Sequence, residues 1–221
     1  MVSCEIAPGI RLDGRLALWL ERPRVLVVAD LHWGYAASHR AHGNLLPMWG
    51  DAEVATRLTG LIADYCPEEM IWLGDSLHTL AGRELAENFL RESTTPITVL
   101  LGNHDRRWLP ARGANALPST LRRGGYFFHH GHLTPECPGE CLEIVGHHHP
   151  ALGWHDRAGG RLKLPALVAS SRRIVLPAFS PWAAGTPWNE SLADHETLFA
   201  IAPKRIFAVS RAMLHNSRLS A

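Results

Sequence analysis

This sequence predicts a mixed α/β domain, on three observations. Short apolar runs alternate with stretches whose apolar residues recur at helical spacing. Most of these runs end in Gly, Asp, Asn or His, which is typical of buried strands that stop at a functional edge. No linker, internal repeat or low-complexity tract divides the 221 residues, and that length suits one domain over residues 1–221.

The strand pattern begins at residues 10–20, IRLDGRLALWL, where Asp13-Gly14 predicts a hairpin with a two-residue turn. Short apolar runs then predict buried strands at 24–30, 70–75, 97–103, 125–130 and 141–147. After residue 150, further strands are predicted at 161–167, 172–179 and 204–210.

Two helices are predicted between these strands. Asp51 is placed to cap a helix in which Val54, Leu58 and Leu61, followed by Ile62 and Tyr65, recur at helical spacing. A second helix is predicted over 83–92. Alternation of strands with helices favours the mixed α/β class over an all-β one.

The balance of charge limits the partners that the chain can bind. Lysine and arginine (22) nearly equal aspartate and glutamate (21), for a formal net charge of +1. Such a chain has no general attraction to nucleic acid or to a membrane surface, so any basic surface must be local.

Cysteine usage and the first residues predict a soluble, cytoplasmic protein. The start MVSCEIAPGI lacks the basic and apolar regions of a secretory signal, and no run approaches the roughly 20 apolar residues that span a bilayer. Cys137 and Cys141 could be half of a zinc site or a disulfide. Since no second cysteine pair exists, ordinary thiols are the favoured interpretation.

The ends of five predicted strands share one kind of chemistry. They read Asp30-x-His32, Gly74-Asp75, Gly102-Asn103-His104-Asp105, His130-Gly131 and Gly146-His147-x-His149. Strand ends of an open α/β sheet converge on one rim, and carboxylate and imidazole ligands suit Mn²⁺, Fe or Zn²⁺. Seven candidate ligands exceed the needs of one ion, so two ions are expected, with a carboxylate between them. Asp75, on a tight Gly-Asp corner, is the candidate bridge.

Plainer interpretations exist for each element alone. Asp30 could cap a turn, and the Asn103 segment could be an ordinary turn, since Asn and Asp bond their own backbone. Agreement among five elements favours the metal interpretation. Next to His130, both His129 and His132 are alternative ligands. His148, between two ligands on an extended segment, is expected to point the other way.

These five elements, in this order, resemble the calcineurin-like metallophosphoesterases, which hydrolyse phosphate esters with two divalent metals. The resemblance implies two packed mixed sheets flanked by helices. It also implies a ligand role for seven residues, grouped as Asp30, His32 and His149 for the first metal, Asn103, His130 and His147 for the second, and Asp75 as the bridge. His104 would then protonate the leaving oxygen or stabilise the transition state, with Asp105 orienting it.

A narrower resemblance extends over most of the chain. The stretches DLHWGYAASHRAHGNLLPMWG, LGDSLHTLAGR and LPALVASSRRIVLPAFS are similar to bacterial DNA-ligase-associated repair metallophosphoesterases. That branch implies a manganese-dependent DNA phosphodiesterase or endonuclease, with a DNA-repair ligase or helicase as protein partner. Three residues depart from its pattern: Tyr35 replaces an expected lysine, His39 a phenylalanine and Ala166 a cysteine.

Residues near the strand ends are candidates for binding DNA, and single-stranded DNA is the expected form. The basic candidates are Arg106, Arg107, Arg112, Arg122 and Arg123, whose plainer role is a solvated surface. Trp33 and Trp108 are placed where bases could stack, although packing in the core is the more common fate of tryptophan.

Two other functions stay open from the sequence. A phosphatase or phosphodiesterase for small nucleotides would use the same metals in a closed pocket. A non-enzymatic scaffold of the same fold would be expected to lose ligands, and the complete set of seven argues against it.

Overall fold

The structure is a computed structural model that describes residues 2–108, 117–155 and 159–214. Its helices are α1 (Tyr35–Ala41), α2 (Gly50–Tyr65) and α3 (Arg83–Glu92), with a 3₁₀ turn at Leu80–Gly82 directly before α3. Its strands are β1 (Ser3–Ala7), β2 (Ile10–Asp13), β3 (Ala17–Leu20), β4 (Val25–Val28), β5 (Glu69–Trp72), β6 (Ile97–Val99), β7 (Thr120–Arg123), β8 (Tyr126–His129), β9 (Leu142–Val145), β10 (Pro150–His155), β11 (Arg161–Ala169), β12 (Arg173–Val175), β13 (Thr186–Pro187), β14 (Thr197–Ala202) and β15 (Arg205–Ser210).

The strands form two mixed sheets. The first has the order β1-β2-β3-β4-β5-β6, in which β4, β5 and β6 run parallel. The second has the order β13-β10-β11-β12-β9-β8-β7, and β14 joins it by pairing with both β11 and β15. Within it, β8, β9 and β12 run parallel. Each sheet therefore contributes a set of three parallel strands.

The two sheets pack face to face around one core. Leu12, Val27 and Ile71 of the first sheet belong to the same buried cluster as Phe128 and Leu167 of the second. Burying an aliphatic or aromatic side chain contributes about 1.5–3 kcal/mol, so this shared cluster holds the layers together.

The helices cover the outer face of the first sheet. Val54, Leu58 and Leu61 of α2 and Ala86 of α3 are buried in a second cluster with Trp72 of β5. A third cluster covers the outer face of the second sheet. The predicted fold class, two packed mixed sheets flanked by helices, is confirmed.

Several predicted elements match the structure. The helix predicted over 83–92 is α3, and the predicted face of α2 is the one that is buried. The predicted hairpin pairs β2 with β3, but its turn is different. Asp13 pairs with Ala17, which leaves a three-residue turn, with Leu16 at φ 69°. The Asp13 carboxylate accepts the Arg15 N–H at 2.8 Å, which holds the chain in this longer turn.

Asp51 does not cap its own helix as predicted. The helix begins one residue earlier, and the Asp51 carboxylate accepts the N–H of Gly34 at 2.9 Å. Gly34 is the N-terminal cap residue of α1, so Asp51 links the beginnings of two helices. The sequence did not predict α1, a helix of only two turns.

Across the described parts of the chain, no helix combines the length and apolar character needed to cross a membrane.

Candidate metal centre

The predicted ligands lie where the parallel strands of both sheets end. Asp30 follows β4, Asp75 follows β5, Asn103 follows β6, His130 follows β8, and His147 and His149 follow β9. The loops after β4 and β5 run side by side, since the N–H of Asp30 bonds Gly74 at 3.2 Å and the N–H of His32 bonds Asp75 at 3.0 Å. Backbone hydrogen bonds thus hold the loops after β4 and β5 together independently of their side chains.

The backbone is strained at this rim. Eight non-glycine residues of the described ranges have positive φ, and five of them are predicted ligands: Asp30, His32, Asp75, His147 and His149, at 46–68°. Such conformations cost of order 1–3 kcal/mol each and cluster at functional sites, where the surrounding fold enforces them. The strain turns these side chains toward a common point.

One group of donor atoms is formed by Asp30, His32 and His149. Their ligand atoms all lie within 4.8 Å of one another. His149 Nε2 is 3.2 Å from Asp30 Oδ1, and the other carboxylate oxygen, Oδ2, accepts the backbone N–H of His147 at 2.9 Å. This hydrogen bond orients the Asp30 carboxylate so that Oδ1 faces the histidines.

A second group is formed by Asp75, His130 and His147, again within 4.8 Å. His130 Nδ1 donates to the carbonyl oxygen of Leu73 at 2.8 Å, which leaves Nε2 as the ring nitrogen that can bind a metal. That atom is 3.3 Å from Asp75 Oδ2 and 3.2 Å from Asn103 Oδ1. Histidines that bind metals usually donate their other N–H to a carbonyl in this way.

Asp75 stands between the two groups. Its carboxylate contacts His130 of the second group, and its charge also acts on His32 of the first. Oδ1 accepts the N–H of His104 at 2.9 Å. Burial raises the pKa of Asp75, but the hydrogen bond and charge of His130 outweigh burial and hold that pKa well below its usual range. Asp75 is therefore an anion at neutral pH.

The residues present fit divalent cations. Asp30 Oδ1 is fully buried and has no hydrogen-bond donor among the described residues, a costly state for a carboxylate oxygen. Burial lowers the pKa of His32 to about 4, against the opposing charges of Asp30 and Asp75, so its ring is neutral and one ring nitrogen has a lone pair that can bind a metal. Oxygen acceptors and neutral imidazoles converge, and a cation satisfies both.

Gly74 makes the close packing of this centre feasible. It has φ 84°, and a Cβ at this position would lie 2.5 Å from the ring of His130. Any other residue would displace His130 from Asp75.

Comparisons with known proteins agree with this geometry. The model of the calcineurin-like phosphoesterase family matches residues 23–190. The chain belongs to this family. Calcineurin-like phosphoesterases use divalent metals, and the two donor groups described above supply His and Asp ligands for them.

The phosphoesterase also resembles solved structures. It is similar to the nuclease MPE of Pseudomonas putida, with a TM-score of 0.68 and 26% identity over 90% of this chain and 94% of that one. A second similar structure is the phosphoesterase YfcE of E. coli, with a TM-score of 0.46 and 15% identity over 84% of this chain and 98% of that one. No curated protein gave a significant match. The phosphoesterase is a metal-dependent hydrolase.

The two donor groups of the phosphoesterase are those that the sequence resemblance implies, with Asn103 beside the second group. Occupation of the groups by two ions stays a prediction. So does the bridging role of Asp75, whose position between the groups is suited to it.

His104 is the most exposed of the predicted catalytic groups, with 36% of its side chain accessible. Its Nδ1 donates to the carbonyl oxygen of His78 at 2.9 Å. Nε2, 3.9 Å from Asp75 Oδ2, is therefore the atom that can hand a proton to a leaving group.

The predicted role of Asp105 is wrong in its detail, because its carboxylate does not contact the His104 ring. Fully buried, it accepts three backbone N–H groups, from Leu77 at 2.9 Å, Gly102 at 3.1 Å and Ser76 at 3.2 Å. Burial raises the pKa of Asp105 to about 6, although these hydrogen bonds lower it in part. Asp105 is a positioning residue that ties the loop after β6 to the loop after β5.

Among the neighbouring histidines, His130 alone reaches Asp75 and Asn103. His129 turns away, and its Nε2 is 2.7 Å from Glu143. His132 lies at the edge of the centre, with its ring centroid 5.2 Å from that of His130.

His148 packs against Trp188, with ring centroids 5.8 Å apart. Its ring also lies 5.3 Å from that of His147. The segment is not extended as predicted, because His147 and His149 have positive φ.

The sequence analysis missed His78. Its ring nitrogen lies within 4.8 Å of ring nitrogens of both His32 and His104, and its carbonyl orients His104. A signal was present, because His78 comes three residues after Asp75 and the loops after β4 and β5 run in parallel. The N–H of His78 bonds the carbonyl of Trp33 at 2.9 Å, which places it beside His32.

The two tryptophans predicted to stack on bases are core residues. Trp33 is 2% and Trp108 1% exposed, and both belong to the cluster under α2 and α3. Trp108 Nε1 donates to Glu87 at 3.2 Å. Both rings are buried because α2 and α3 pack over them. The sequence alone did not show where these helices pack.

Two of the predicted basic contacts are also wrong. Arg122 pairs with Glu140 at 2.6 Å, and Arg123 pairs with Glu69 at 3.0 Å. Glu69 is the first residue of β5, whereas the predicted bridging ligand follows the last, so these arginines lie at the opposite end of the strands.

Arg106 and Arg107 are exposed beside the centre, and Arg106 is near enough to His132 to act on its charge. Within the described ranges neither has an ion-pair partner at 4.0 Å or less. Arg112 lies outside the described residues. Arg106 and Arg107 therefore stay candidates for binding phosphate.

The cysteines are free, as predicted. Cys137 and Cys141 do not form a disulfide, and the histidine and carboxylate groups of the described residues that could hold a metal include no cysteine.

Proposed function

We propose that this phosphoesterase is a phosphodiesterase that acts on nucleic acid, and more specifically a manganese-dependent DNA endonuclease that works in DNA repair in the cytoplasm. The likeness to a nuclease over 90% of the chain carries the proposal. The geometry supports phosphoester chemistry, since two donor groups adjoin, with His130 Nδ1 3.8 Å from Asp30 Oδ1, and His104 is open to solvent beside Asp75.

The residues of the centre divide the work of hydrolysis. Asp30, His32 and His149 would hold one divalent cation, and Asn103, His130 and His147 a second, with Asp75 between them. When bound, these cations supply Lewis-acid stabilisation for the charge that develops on a phosphoryl group. The donor set, which mixes carboxylate and amide oxygens with imidazoles, suits Mn²⁺, Fe or Zn²⁺. Mn²⁺ is proposed among them because the sequence resemblance implies it.

His104 would act at the leaving oxygen. The carbonyl of His78 fixes its Nδ1 proton, which leaves Nε2 to carry the proton that is transferred. Proton transfer by a positioned side chain contributes typically 10²–10⁴-fold. Arg106 and Arg107 would bind flanking phosphates. A repair ligase or helicase as protein partner rests on the sequence resemblance.

The test compares metals and substrates on metal-stripped protein. Labelled single-stranded DNA, duplex DNA and bis(p-nitrophenyl) phosphate are incubated with Mn²⁺, Mg²⁺, Zn²⁺ or Ni²⁺ in turn. Cleavage of DNA with Mn²⁺ supports the proposal. Hydrolysis of the small diester without cleavage of any DNA would favour a small-nucleotide enzyme, and no hydrolysis with any metal would favour a scaffold.

Metal content gives a second test. After purification in excess Mn²⁺, metal analysis should approach two equivalents per chain. Asp75→Ala should lose activity by several orders of magnitude. A variant that kept both ions and near-full activity would remove Asp75 from the bridge.

Salt dependence tests the basic contacts. Cleavage of single-stranded DNA should weaken steeply with salt, and replacing Arg106 and Arg107 with Ala should reduce the slope by roughly 0.7 per lost contact. Arg122→Ala is the matched control, because that arginine is paired at the other end of the strands. An unchanged slope in the double variant would exclude Arg106 and Arg107 from binding DNA.

A further inference from the structure

A row of aromatic side chains borders the metal centre on the side of His104. We call it the aromatic wall and define it as Tyr35, His39, Trp49, His78 and Trp182. Trp49 is 52% exposed, and Tyr35, His39, His78 and Trp182 are partly exposed. The wall is absent from the sequence interpretation, which assigned stacking to two buried tryptophans.

The wall is continuous with the catalytic residue. Ring centroids are 5.3 Å apart between His104 and His78, 4.4 Å between His78 and Tyr35, 6.5 Å between Tyr35 and Trp182, and 4.8 Å between Trp182 and Trp49. The planes of the Tyr35 and Trp182 rings are inclined by only 13°. A substrate that leaves the centre past His104 therefore meets successive ring surfaces.

Four segments of the chain build the wall: α1, the residue before α2, the loop after β5 and the loop after β12. Tyr35 and His39 are one turn apart on α1, and their rings stack at 4.5 Å. Trp182 comes from the loop after β12 and lies against the beginning of α2. A Cβ on Gly50 would be 2.0 Å from its indole nitrogen, so the glycine admits the ring.

We propose that the aromatic wall binds unpaired bases of single-stranded DNA next to the phosphate that is cleaved. This inference rests on the proposed function and deepens it. Aromatic side chains stack on any base, because every base has a π-face. The bases of a duplex are already stacked and must be flipped out to reach such a surface, which requires a few kcal/mol.

The position of the wall favours nucleotides over an apolar protein segment as its occupant. The wall begins at the residue proposed to protonate the leaving oxygen, and the group attached to that oxygen is a nucleotide. On the other side of the centre, Arg106 lies near His132. A single strand that crosses the centre would thus have its phosphates toward the arginines and its bases toward the rings.

The first experiment changes the most exposed ring. Trp49→Leu should raise KM for cleavage of single-stranded DNA about tenfold, as expected for the loss of one base–aromatic stack. Its effect on bis(p-nitrophenyl) phosphate should be several times smaller. Trp154→Leu is the matched control, because Trp154 is also 52% exposed but lies on β10, outside the wall.

The second experiment changes the substrate. An oligonucleotide with consecutive abasic sites keeps the phosphate charges and removes the stacking faces. The wild-type protein should bind it at least as weakly as Trp49→Leu binds the normal strand, because all the stacks are lost and not only one, and Trp49→Leu should lose nothing further on it. Equal tenfold losses for the variant on both strands would overturn the proposal, because such losses do not depend on bases.

Binding without cleavage separates this inference from the proposed function. In chelator-treated protein, addition of a dT oligomer should quench tryptophan fluorescence, and Trp49→Leu should lose part of that quenching while Trp154→Leu keeps it. Tyr35→Phe should bind normally and Tyr35→Leu more weakly. No quenching in the wild-type protein would overturn the wall, even if DNA is cleaved. Quenching without cleavage of DNA under any metal would support the wall and contradict the endonuclease.

Discussion

Two buried aspartates of this protein have the same exposure and opposite surroundings. Asp13 is 1% exposed and Asp30 0%. The Asp13 carboxylate accepts two hydrogen bonds from the Arg15 guanidinium, at 2.8 and 2.9 Å, and one from the Tyr65 hydroxyl at 2.9 Å. Asp30 has Oδ1 without a donor in the described part of the chain.

The difference separates a structural carboxylate from a functional one. Burial alone would raise the pKa of Asp13, but its hydrogen bonds with Arg15 and Tyr65 outweigh burial and bring that pKa below its ordinary value. The Asp13 carboxylate finds its hydrogen-bond partners within the protein. Around Asp30, acceptor atoms and strained backbone are concentrated, and a bound cation would supply the partner that Oδ1 lacks.

The largest expected effect is that of Asp30→Asn. Activity with Mn²⁺ should fall about a thousandfold, equivalent to about 4 kcal/mol of transition-state stabilisation. The thermal midpoint of the metal-free variant should equal or exceed that of the wild type, because the substitution removes a buried carboxylate oxygen that has no hydrogen-bond donor. Differential scanning fluorimetry with and without Mn²⁺ measures this, and metal should no longer raise the midpoint. A strongly destabilised metal-free variant would contradict the contrast with Asp13.

Asp13→Ala should show the reverse pattern. Tyr65 loses its hydrogen-bond acceptor and Arg15 keeps only its pair with Asp64, so the free energy of unfolding should fall by on the order of 3 kcal/mol. Urea denaturation measures that loss. Turnover per folded molecule should be unchanged, because Asp13 is outside the metal centre. A loss of turnover in fully folded protein would show that the two regions are coupled.

His104→Ala tests how the region around Asp30 contributes to catalysis beyond binding metal. Both ions should stay bound, and cleavage of an ordinary diester should slow about 100-fold. The loss should be smaller with a nitrophenol leaving group, which scarcely needs a proton. Equal losses on both substrates would point to charge stabilisation, and a lost ion would make His104 a ligand.

The smallest effect concerns the pH dependence of stability. Burial, with the charges of His104 and His39, lowers the pKa of His78 to about 4. Between about pH 6.5 and 4 the unfolded chain binds a proton there that the folded chain does not, so stability falls as pH falls. Metal-free His78→Asn should lose less stability than the wild type over this window, by roughly 1 kcal/mol because the ring is half exposed. Parallel curves would contradict this.

The residues of the centre were predictable because each one follows a recognisable strand. Parallel strands bring their carboxyl ends to one rim, so Asp30, Asp75 and His130 could be grouped from their order along the chain. The predicted helix at 83–92 agreed with α3 because its apolar spacing is regular. The mixed α/β class needed no knowledge of long-range contacts, whereas the two packed sheets were implied by the family resemblance.

The surroundings of the centre were not predictable in the same way. Trp33 and Trp108 look like exposed rings until helices cover them, and Arg122 looks free until Glu140 is placed beside it. The aromatic wall joins Trp182 to Tyr35 across most of the chain. Such pairings depend on how loops pack, and neither periodicity nor spacing records them.

Asp105 has a consequence for any genetic screen of this protein. Its carboxylate accepts the amides of Ser76 and Leu77 and that of Gly102, so it cross-links the loop after β5 to the loop after β6. Selection for inactive mutants would recover Asp105 together with the metal ligands, although its carboxylate bonds backbone amides. Hydrogen exchange would tell them apart: loss of Asp105 should deprotect these three amides, and loss of a ligand should leave them protected.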